Sequence, residues 1–384
     1  MKLICFMLLM ALLTGCAPSE PVMASAETLP ASPETNAATI PTTLPPETAP
    51  PDPVWELLDS LSMEEKVGQL FLARCPGSSA LAEIESFHFG GYILFSEDFA
   101  GQSPQSISQT IAEYQSASQV PMLIAVDEEG GTVCRVSSNN AFRSSPFPSP
   151  RNAFENGGME AALGMEAEKA YLLSSLGINV NMAPVCDIST TPGAFMYRRS
   201  LGLDPHTVGE FAIEATQLMN AFGVGAVWKH FPGYGDNADT HTGIATDRRS
   251  LEQLESRDLI PFSMGAMDNC EAILVSHTIV TAMDEKYPAT LSPSVHDYLR
   301  NTLGFDGVIV TDDLRMEAIT KVYDTEEAAV LAVLAGNDLL CSTDAPRQYQ
   351  AVLEAVQSGR IPEDTLNQAV ERILRWKQNL DMIE

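Results

Sequence analysis

Short apolar runs alternate with amphipathic stretches along the chain from residue 54 onward. The short runs are apolar at successive positions, as expected of strands that are buried on both faces of a sheet. The stretches between them carry the helical spacing of apolar residues, as at 157–177, 251–267 and 325–336, and several end in glycine, which suits a helix C-cap. The predicted strands are 67–73, 90–95, 121–127, 177–184, 223–230, 270–277, 305–312 and 336–342.

This alternation of strand and helix predicts parallel strands joined by right-handed crossovers. About eight repeats favour a closed TIM-like (β/α)8 barrel, with an open doubly wound sheet as the alternative. No G-x-G-x-x-G follows a predicted strand and no G-x-x-x-x-G-K-[ST] occurs, so nucleotide-binding loops are not indicated. We therefore expect an α/β fold with a single catalytic barrel domain over residues 54–384.

The first 53 residues lack this alternation and are typical of an export signal followed by a stalk. Lys2 precedes a short apolar run, and the next residues, LTGC, end in Cys16 and resemble the lipobox of bacterial lipoproteins. That resemblance implies a signal peptide over 1–15 and a lipid on Cys16, with a plain secretory signal as the alternative. Residues 16–53 are rich in Pro, Ser, Thr, Ala and Glu and predict an extended stalk. We expect the barrel to lie outside the cytoplasmic membrane, anchored to it by this lipid.

Charge bears on the possible partners of the protein, and cysteine content bears on disulfides and zinc sites. The formal net charge of −29 repels nucleic acid, so we expect no nucleic-acid partner. We also expect the protein to be a monomer. Seven cysteines less Cys5 of the signal and Cys16 leave an odd number, which excludes a complete disulfide set. No C-x-x-C pair occurs, so a structural zinc framework is not indicated. We expect buried free thiols at Cys75, Cys134, Cys186, Cys270 and Cys341.

Several predicted strands turn polar where they end. In a parallel barrel the carboxyl ends of the strands meet at one rim, where catalytic groups lie. Any one of these polar residues could instead be a buried core residue whose hydrogen bonds are satisfied within the fold. Taken together, however, they predict a catalytic or binding site at the rim. The residues concerned are Asp127, Asp187, Lys229, His230, His277 and Asp312.

The segment 229–243, KHFPGYGDNADTHTG, is compatible with a metal site or a proton-transfer device. It contains acceptable metal ligands, but neither H-x-H nor H-E-x-x-H occurs, and Lys229 would place a cation beside the ion. We therefore expect neither a metal nor another cofactor. A carboxylate near an imidazole fixes its tautomer and raises its pKa, so Asp239 and His241 could form an acid/base pair.

An ionised aspartate at a strand end, Asp312, could serve as a nucleophile that forms a covalent intermediate. A nucleophile together with an acid/base is the arrangement of retaining glycosidases. Basic residues would then donate hydrogen bonds to sugar hydroxyls and to an N-acyl carbonyl. The candidates for this role are Arg135, Arg199, Lys229 and His230.

Five segments, VDEEGG, NVNMAPVCDI, RRSLG, KHFPGYGDNADTHTG and VIVTDDLRMEAI, occur in this order and resemble glycoside hydrolase family 3. The resemblance is to its β-N-acetylglucosaminidase branch, the NagZ-like enzymes of peptidoglycan turnover. It implies a TIM-like barrel and a retaining exo-enzyme that releases terminal GlcNAc from peptidoglycan fragments or related β-glycosides. It also implies that Asp312, rather than Asp313, is the nucleophile and that His241 with Asp239 is the acid/base. The sugar contacts that it implies are Asp127, Arg135, Arg199, Lys229 and His230.

The chain departs from the family pattern at positions 132, 234 and 237 and in the sequence HTGIAT, since a proline usually follows HxGL in the family. Thr132 replaces the first arginine of the usual EGGRVQR, and Tyr234 and Asn237 differ from the commoner PGHGDT. These departures bear on fine specificity. The alternatives that stay open are a family 3 β-glycosidase of other specificity, a GlcNAc phosphorylase in which phosphate replaces water, and a non-catalytic sugar-binding lipoprotein.

Overall fold

Eight parallel strands form the centre of the computed structural model, which describes residues 52–235, 237, 243–268 and 270–383. In chain order they are β1 (Phe71–Arg74), β2 (Gly91–Leu94), β3 (Leu123–Val126), β6 (Val180–Asn181), β7 (Gly225–Phe231), β9 (Ala272–Val275), β11 (Val308–Thr311) and β12 (Leu340–Ser342).

These strands form a closed barrel. Each strand pairs in parallel with its neighbours in the order β11, β9, β7, β6, β3, β2, β1, β12. The two ends of that sheet meet where Val310 bridges to Leu339, just before β12. The predicted TIM-like barrel is therefore confirmed. Four short strands lie outside it, in two pairs: β4 (Glu128–Gly130) with β5 (Val133–Cys134), and β8 (Thr246–Asp247) with β10 (Ile279–Val280).

Thirteen α-helices lie in the part of the chain that the structure describes. They are α1 (Pro53–Ser60), α2 (Met63–Gln69), α3 (Ala80–Phe87), α4 (Pro104–Ala117), α5 (Pro150–Ser175), α6 (Pro205–Asn220), α7 (Leu251–Glu255), α8 (Leu259–Met267), α9 (Pro293–Asp297), α10 (Glu317–Thr320), α11 (Thr325–Ala335), α12 (Ala345–Gln357) and α13 (Glu363–Asn379). None of the described helices has both the length and the apolar character needed to cross a bilayer.

Two predicted elements had the wrong bounds, and one predicted helix is preceded by a helical segment that was not predicted. The strand expected at 67–73 begins only at Phe71, because Ser62 and Glu65 form a capping box that starts α2. The helix expected over 157–177 follows a kink at Gly157 and Gly158, whose backbone angles are non-helical, and the turn that the hydroxyl of Ser149 caps belongs to a separate helical segment before that kink. The helix expected over 251–267 is divided into α7 and α8, which are separated by residues 256–258.

The core has an inner and an outer part. Alternate strand residues, among them Leu72, Leu123 and Val227, point into the barrel, while the remaining apolar strand residues pack against the surrounding helices. Helix α13 closes the amino-terminal end of the barrel, because its residues Ile373 and Trp376 pack with the inner strand residues. As expected, five cysteines are buried free thiols, at Cys75, Cys134, Cys186, Cys270 and Cys341.

Candidate active site

The carboxyl ends of the barrel strands surround a cavity of about 960 Å³. Its floor and walls come from several strand ends, and the loop before α6 contributes residues 192–195 and 197–199. Five of the residues predicted to act on a sugar line this cavity: Asp127, Arg135, Arg199, Lys229 and Asp312. The barrel therefore brings together side chains that are up to 185 residues apart in sequence, the separation of Asp127 and Asp312 (312 − 127).

A buried carboxylate, Glu129, joins two of the cations that line the cavity, Arg199 and Lys229. Its Oε1 accepts from Lys229 Nζ at 2.6 Å and from Arg199 Nη2 at 2.7 Å. Its Oε2 accepts from Arg199 Nε at 2.9 Å. Lys229 Nζ also donates to Asp127 Oδ1 at 2.7 Å. Ion pairs this well buried are held in one geometry, because leaving either partner unpaired would carry a large desolvation penalty.

The charges of this network reinforce one another. Burial favours the neutral form of Glu129, but Arg199 and Lys229 outweigh burial and hold the pKa of that carboxyl well below its usual range. Burial likewise disfavours the ammonium of Lys229, but Asp127 and Glu129 outweigh it and raise the pKa of the lysine. Both cations are therefore charged at neutral pH and able to donate hydrogen bonds into the cavity.

His230 lies behind the cavity wall, with 4% of its surface exposed. Its Nδ1 lies 2.7 Å from Asp187 Oδ2, and its Nε2 lies 3.2 Å from Arg199 Nη2. The neutral tautomer with the proton on Nδ1 satisfies both contacts, since that nitrogen then donates to the carboxylate and Nε2 accepts from the guanidinium. Asp187 also accepts from the backbone N–H groups of His230 and Tyr234. His230 thus contacts a predicted sugar-binding arginine, and it is not among the described residues that line the cavity.

Asp312 follows the last residue of β11 and lines the cavity. Its Oδ1 accepts from the backbone N–H of Asp313 at 2.9 Å, which orients the carboxylate. The carboxylate of Asp313 instead accepts from the backbone N–H groups of Arg315 and Thr343. Burial raises the pKa of Asp313, although those N–H groups oppose the shift. The two adjacent aspartates therefore have different surroundings, and Asp313 holds the loops that follow β11 and β12. His277, at the end of β9, supports the same turn, with Nε2 lying 2.9 Å from the Asp313 carbonyl oxygen.

Arg135 approaches the cavity from the end of the β4–β5 hairpin. Its guanidinium lies 5.4 Å from the centre of the Phe95 ring, and its Nη2 lies 3.7 Å from Asp127 Oδ2. The face of the ring limits where the guanidinium can lie. The buried Nε of Arg135 has no hydrogen-bond partner among the described residues.

The predicted acid/base residues, Asp239 and His241, lie outside the described residues. The chain before them leaves the barrel rim after β7, where the Lys229–His230 and Phe231–Pro232 peptide bonds are cis. Gly233 then takes a φ of 110°, and a Cβ at this position would lie 2.6 Å from Cβ of Asp258. Only glycine fits both the backbone conformation and the close approach.

Glu129 was not predicted as a site residue, and Asp187 was predicted to lie at the rim but was given no role there. Glu129 belongs to the VDEEGG segment, but its neighbour Glu128 is equally buried and has a different role. The carboxylate of Glu128 accepts from the backbone N–H groups of Val136 and Ser137 and so holds the β4–β5 hairpin. Sequence offers no signal that separates these two glutamates, since the difference arises from the direction each side chain takes in the folded hairpin.

Comparison with known proteins finds the Glycosyl hydrolase family 3 N terminal domain over residues 62–376. A Beta-hexosaminidase of Methylococcus capsulatus is 33% identical over 274 residues, which are 70% of this chain and 80% of that protein. Beta-hexosaminidase LpqI of Mycobacterium tuberculosis is 28% identical over 329 residues, which are 83% of each protein.

A solved structure, the glycoside hydrolase family 3 beta-N-acetylglucosaminidase from Paenibacillus sp. str. FPU-7, has the same barrel. It superposes with a TM-score of 0.78 at 36% identity and covers 84% of this chain. The chain spans 63% of that protein, which is less than two thirds of its length.

Proposed function

This chain belongs to glycoside hydrolase family 3, and we propose that it is a retaining exo-β-N-acetylglucosaminidase. The observation that carries this proposal is the position of Asp312, which follows β11 and lines the same cavity as Asp127, Arg199 and Lys229. A carboxylate facing a set of buried hydrogen-bond donors and acceptors is what nucleophilic attack on a bound sugar requires. The similarity of this chain to Beta-hexosaminidases and to a family 3 beta-N-acetylglucosaminidase supports the proposed β-N-acetylhexosaminidase activity.

In the first step the carboxylate of Asp312 attacks the anomeric carbon and the glycosidic bond breaks, giving a covalent glycosyl-aspartate. The leaving oxygen takes a proton from His241, whose charge Asp239 stabilises. In the second step His241 removes a proton from water, the water attacks the anomeric carbon, and Asp312 is released. The N–H of Asp313 holds one oxygen of the nucleophile, which reduces the entropy lost on reaching the reactive geometry.

The non-reacting hydroxyls of the sugar are assigned to the buried network. Lys229 and Arg199 donate hydrogen bonds, and Asp127 accepts them from hydroxyl groups. Arg135 is assigned either to the edge of the sugar that lies opposite Arg199 or to the N-acetyl group of the sugar. Such charge-assisted hydrogen bonds are roughly twice as strong as neutral ones, so they favour a polyhydroxylated ligand over an apolar one.

Replacement of Asp312 by Asn tests this mechanism. We expect kcat on the p-nitrophenyl N-acetyl-β-glucosaminide to fall by about 10³-fold or more, because an amide cannot form the glycosyl ester. Asp313→Asn is the matched control, since an amide oxygen can still accept from the N–H groups of Arg315 and Thr343. Turnover by the Asp312 variant at a tenth of the wild-type rate or faster would contradict the proposal, as would preference of the wild type for the β-glucoside.

We further propose that the enzyme acts on peptidoglycan fragments outside the cell membrane, to which a lipid on Cys16 anchors it. This proposal is supported by the apolar run, the LTGC sequence and the Pro-rich segment over 16–53. We expect Cys16→Ser to move the protein from the membrane fraction to the soluble fraction or to the medium. Retention of the variant in the membrane fraction would contradict lipid anchoring at this residue.

A further inference from the structure

Arg199 and Lys229 come from different parts of the chain but share a single anchor. Arg199 lies in the loop before α6, and Lys229 lies within β7. Both reach Glu129, which is 1% exposed and belongs to the β4 strand beside the cavity. All three contacts with Glu129 are 2.9 Å or shorter.

Two cations so close together need this anchor. Arg199 by itself disfavours the charged form of Lys229, which is fully buried. Asp127 pairs with the lysine on the other side, and among the described residues only Glu129 forms an ion pair with both cations. Without its negative charge, the two donors would repel each other at a place where both side chains are largely shielded from water.

The surroundings of Glu129 fix its position in turn. Lys169 donates to the Glu129 carbonyl oxygen at 2.9 Å and pairs with Glu166 at 2.7 Å, and both side chains are 1% exposed. On the far side of Arg199, His230 and Asp187 complete the set of contacts. The guanidinium is therefore held on two sides, by a carboxylate and by an imidazole.

We propose that Glu129 is a positioning residue of the sugar site, whose one carboxylate sets both the location and the charge of Arg199 and Lys229. It lines the same cavity as Asp312, and its assigned role is to act on the sugar through these two cations. This inference rests on the proposed function, because it assigns to Glu129 the alignment of two donors that hold the sugar.

Glu129→Gln tests the inference, since the variant keeps the shape of the side chain and loses its charge. We expect kcat/KM on the p-nitrophenyl N-acetyl-β-glucosaminide to fall by about 100-fold, as for other small misplacements of binding groups. The pH profile should also change. Lys229 would lose one of its two carboxylate partners while the penalty of burial remains, so the alkaline limb of kcat/KM should move to lower pH.

Two further variants separate positioning from folding. Glu129→Asp keeps the charge on a shorter side chain, so we expect the alkaline limb to return to its wild-type position with kcat/KM still about tenfold low. Glu128→Gln removes the neighbouring buried charge, whose partners are backbone N–H groups and the Ser137 hydroxyl, and should leave the pH profile unshifted. If the Gln variant does not fold, wild-type kcat/KM in the Asp variant overturns the inference.

The inference is overturned if Glu129→Gln keeps kcat/KM within about threefold of the wild type, against the 10²-fold expected of a misplaced donor. It is also overturned if the Glu128 and Glu129 variants shift the pH profile equally. Failure of the proposed function is distinguishable, because the wild type would then turn over no N-acetylglucosaminide. In that case a crystal structure of Glu129→Gln decides: displacement of Lys229 Nζ or the Arg199 guanidinium by more than about 0.5 Å supports the inference, and unchanged positions overturn it.

Discussion

Replacing Lys377 by Met should stabilise the fold, because its ammonium is buried where α13 closes the amino-terminal end of the barrel. The side chain is 0% exposed, and its Nζ donates to Gln69 Oε1 at 2.7 Å. That amide oxygen is the sole hydrogen-bond partner of this ammonium within the described part of the chain. Burial lowers the pKa of Lys377 from 10.5 to about 7, with no carboxylate to oppose it.

The free energy of unfolding that the buried Lys377 costs the protein depends on pH. The unfolded chain binds a proton that the folded chain gives up between about pH 7 and pH 10.5, so stability rises with pH across this window. At about 1.4 kcal/mol for each pH unit, the cost is roughly 5 kcal/mol below pH 7 and vanishes near pH 10.5. Met removes this cost but leaves Gln69 Oε1 without its donor, which costs about 1–3 kcal/mol. The expected net gain at pH 7 is therefore about 2–4 kcal/mol.

Urea unfolding of the wild type and of Lys377→Met at pH 7 and pH 9.5 measures both quantities. We expect the variant to be more stable at pH 7 and the difference to shrink at pH 9.5. Lys286→Met, at an exposed position, is the matched control and should change stability by no more than about 0.5 kcal/mol. A variant less stable than the wild type at pH 7, or a difference that does not depend on pH, would refute this reasoning.

Three other substitutions probe packing and the site. Gly265→Ala should lower the free energy of unfolding by about 1–3 kcal/mol in a thermal melt, because its Cβ would lie 2.6 Å from Cζ3 of Trp228; an unchanged Tm would contradict this. Asp187→Asn should reduce kcat/KM by about 10- to 100-fold, because the amide cannot orient His230 as the carboxylate does, and normal kinetics would remove that role. Arg135→Lys should raise KM by about tenfold with a smaller change in kcat, since an ammonium cannot reproduce the planar fork; an unaltered KM would count against its contact with the sugar.

The barrel could be predicted from sequence because strands buried on both faces leave an uninterrupted apolar signal. All eight predicted strands overlap a strand of the barrel. The boundaries could not be predicted so well, since they depend on side-chain caps such as Ser149 and on which residues the rest of the fold buries.

The site could be predicted in part for a related reason. Polar residues that interrupt apolar strand ends, such as Asp127, Lys229 and Asp312, are visible along the chain, and the barrel brings them to one rim. The partners of these residues are not visible in the same way. Glu129 reaches Arg199 across 70 positions of sequence, a pairing that only the folded chain creates.

The central claim, that Asp312 forms a covalent bond with the sugar, can be tested directly by trapping the intermediate. A 5-fluoro glycosyl fluoride of GlcNAc slows the second step, so the glycosyl-enzyme accumulates and its peptides can be sequenced by mass spectrometry. The account predicts one added sugar per chain, on the peptide that contains Asp312 and on that residue, and no adduct in Asp312→Asn. A sugar attached to Asp313 or to any other residue, or turnover of the reagent without an adduct at Asp312, would contradict it.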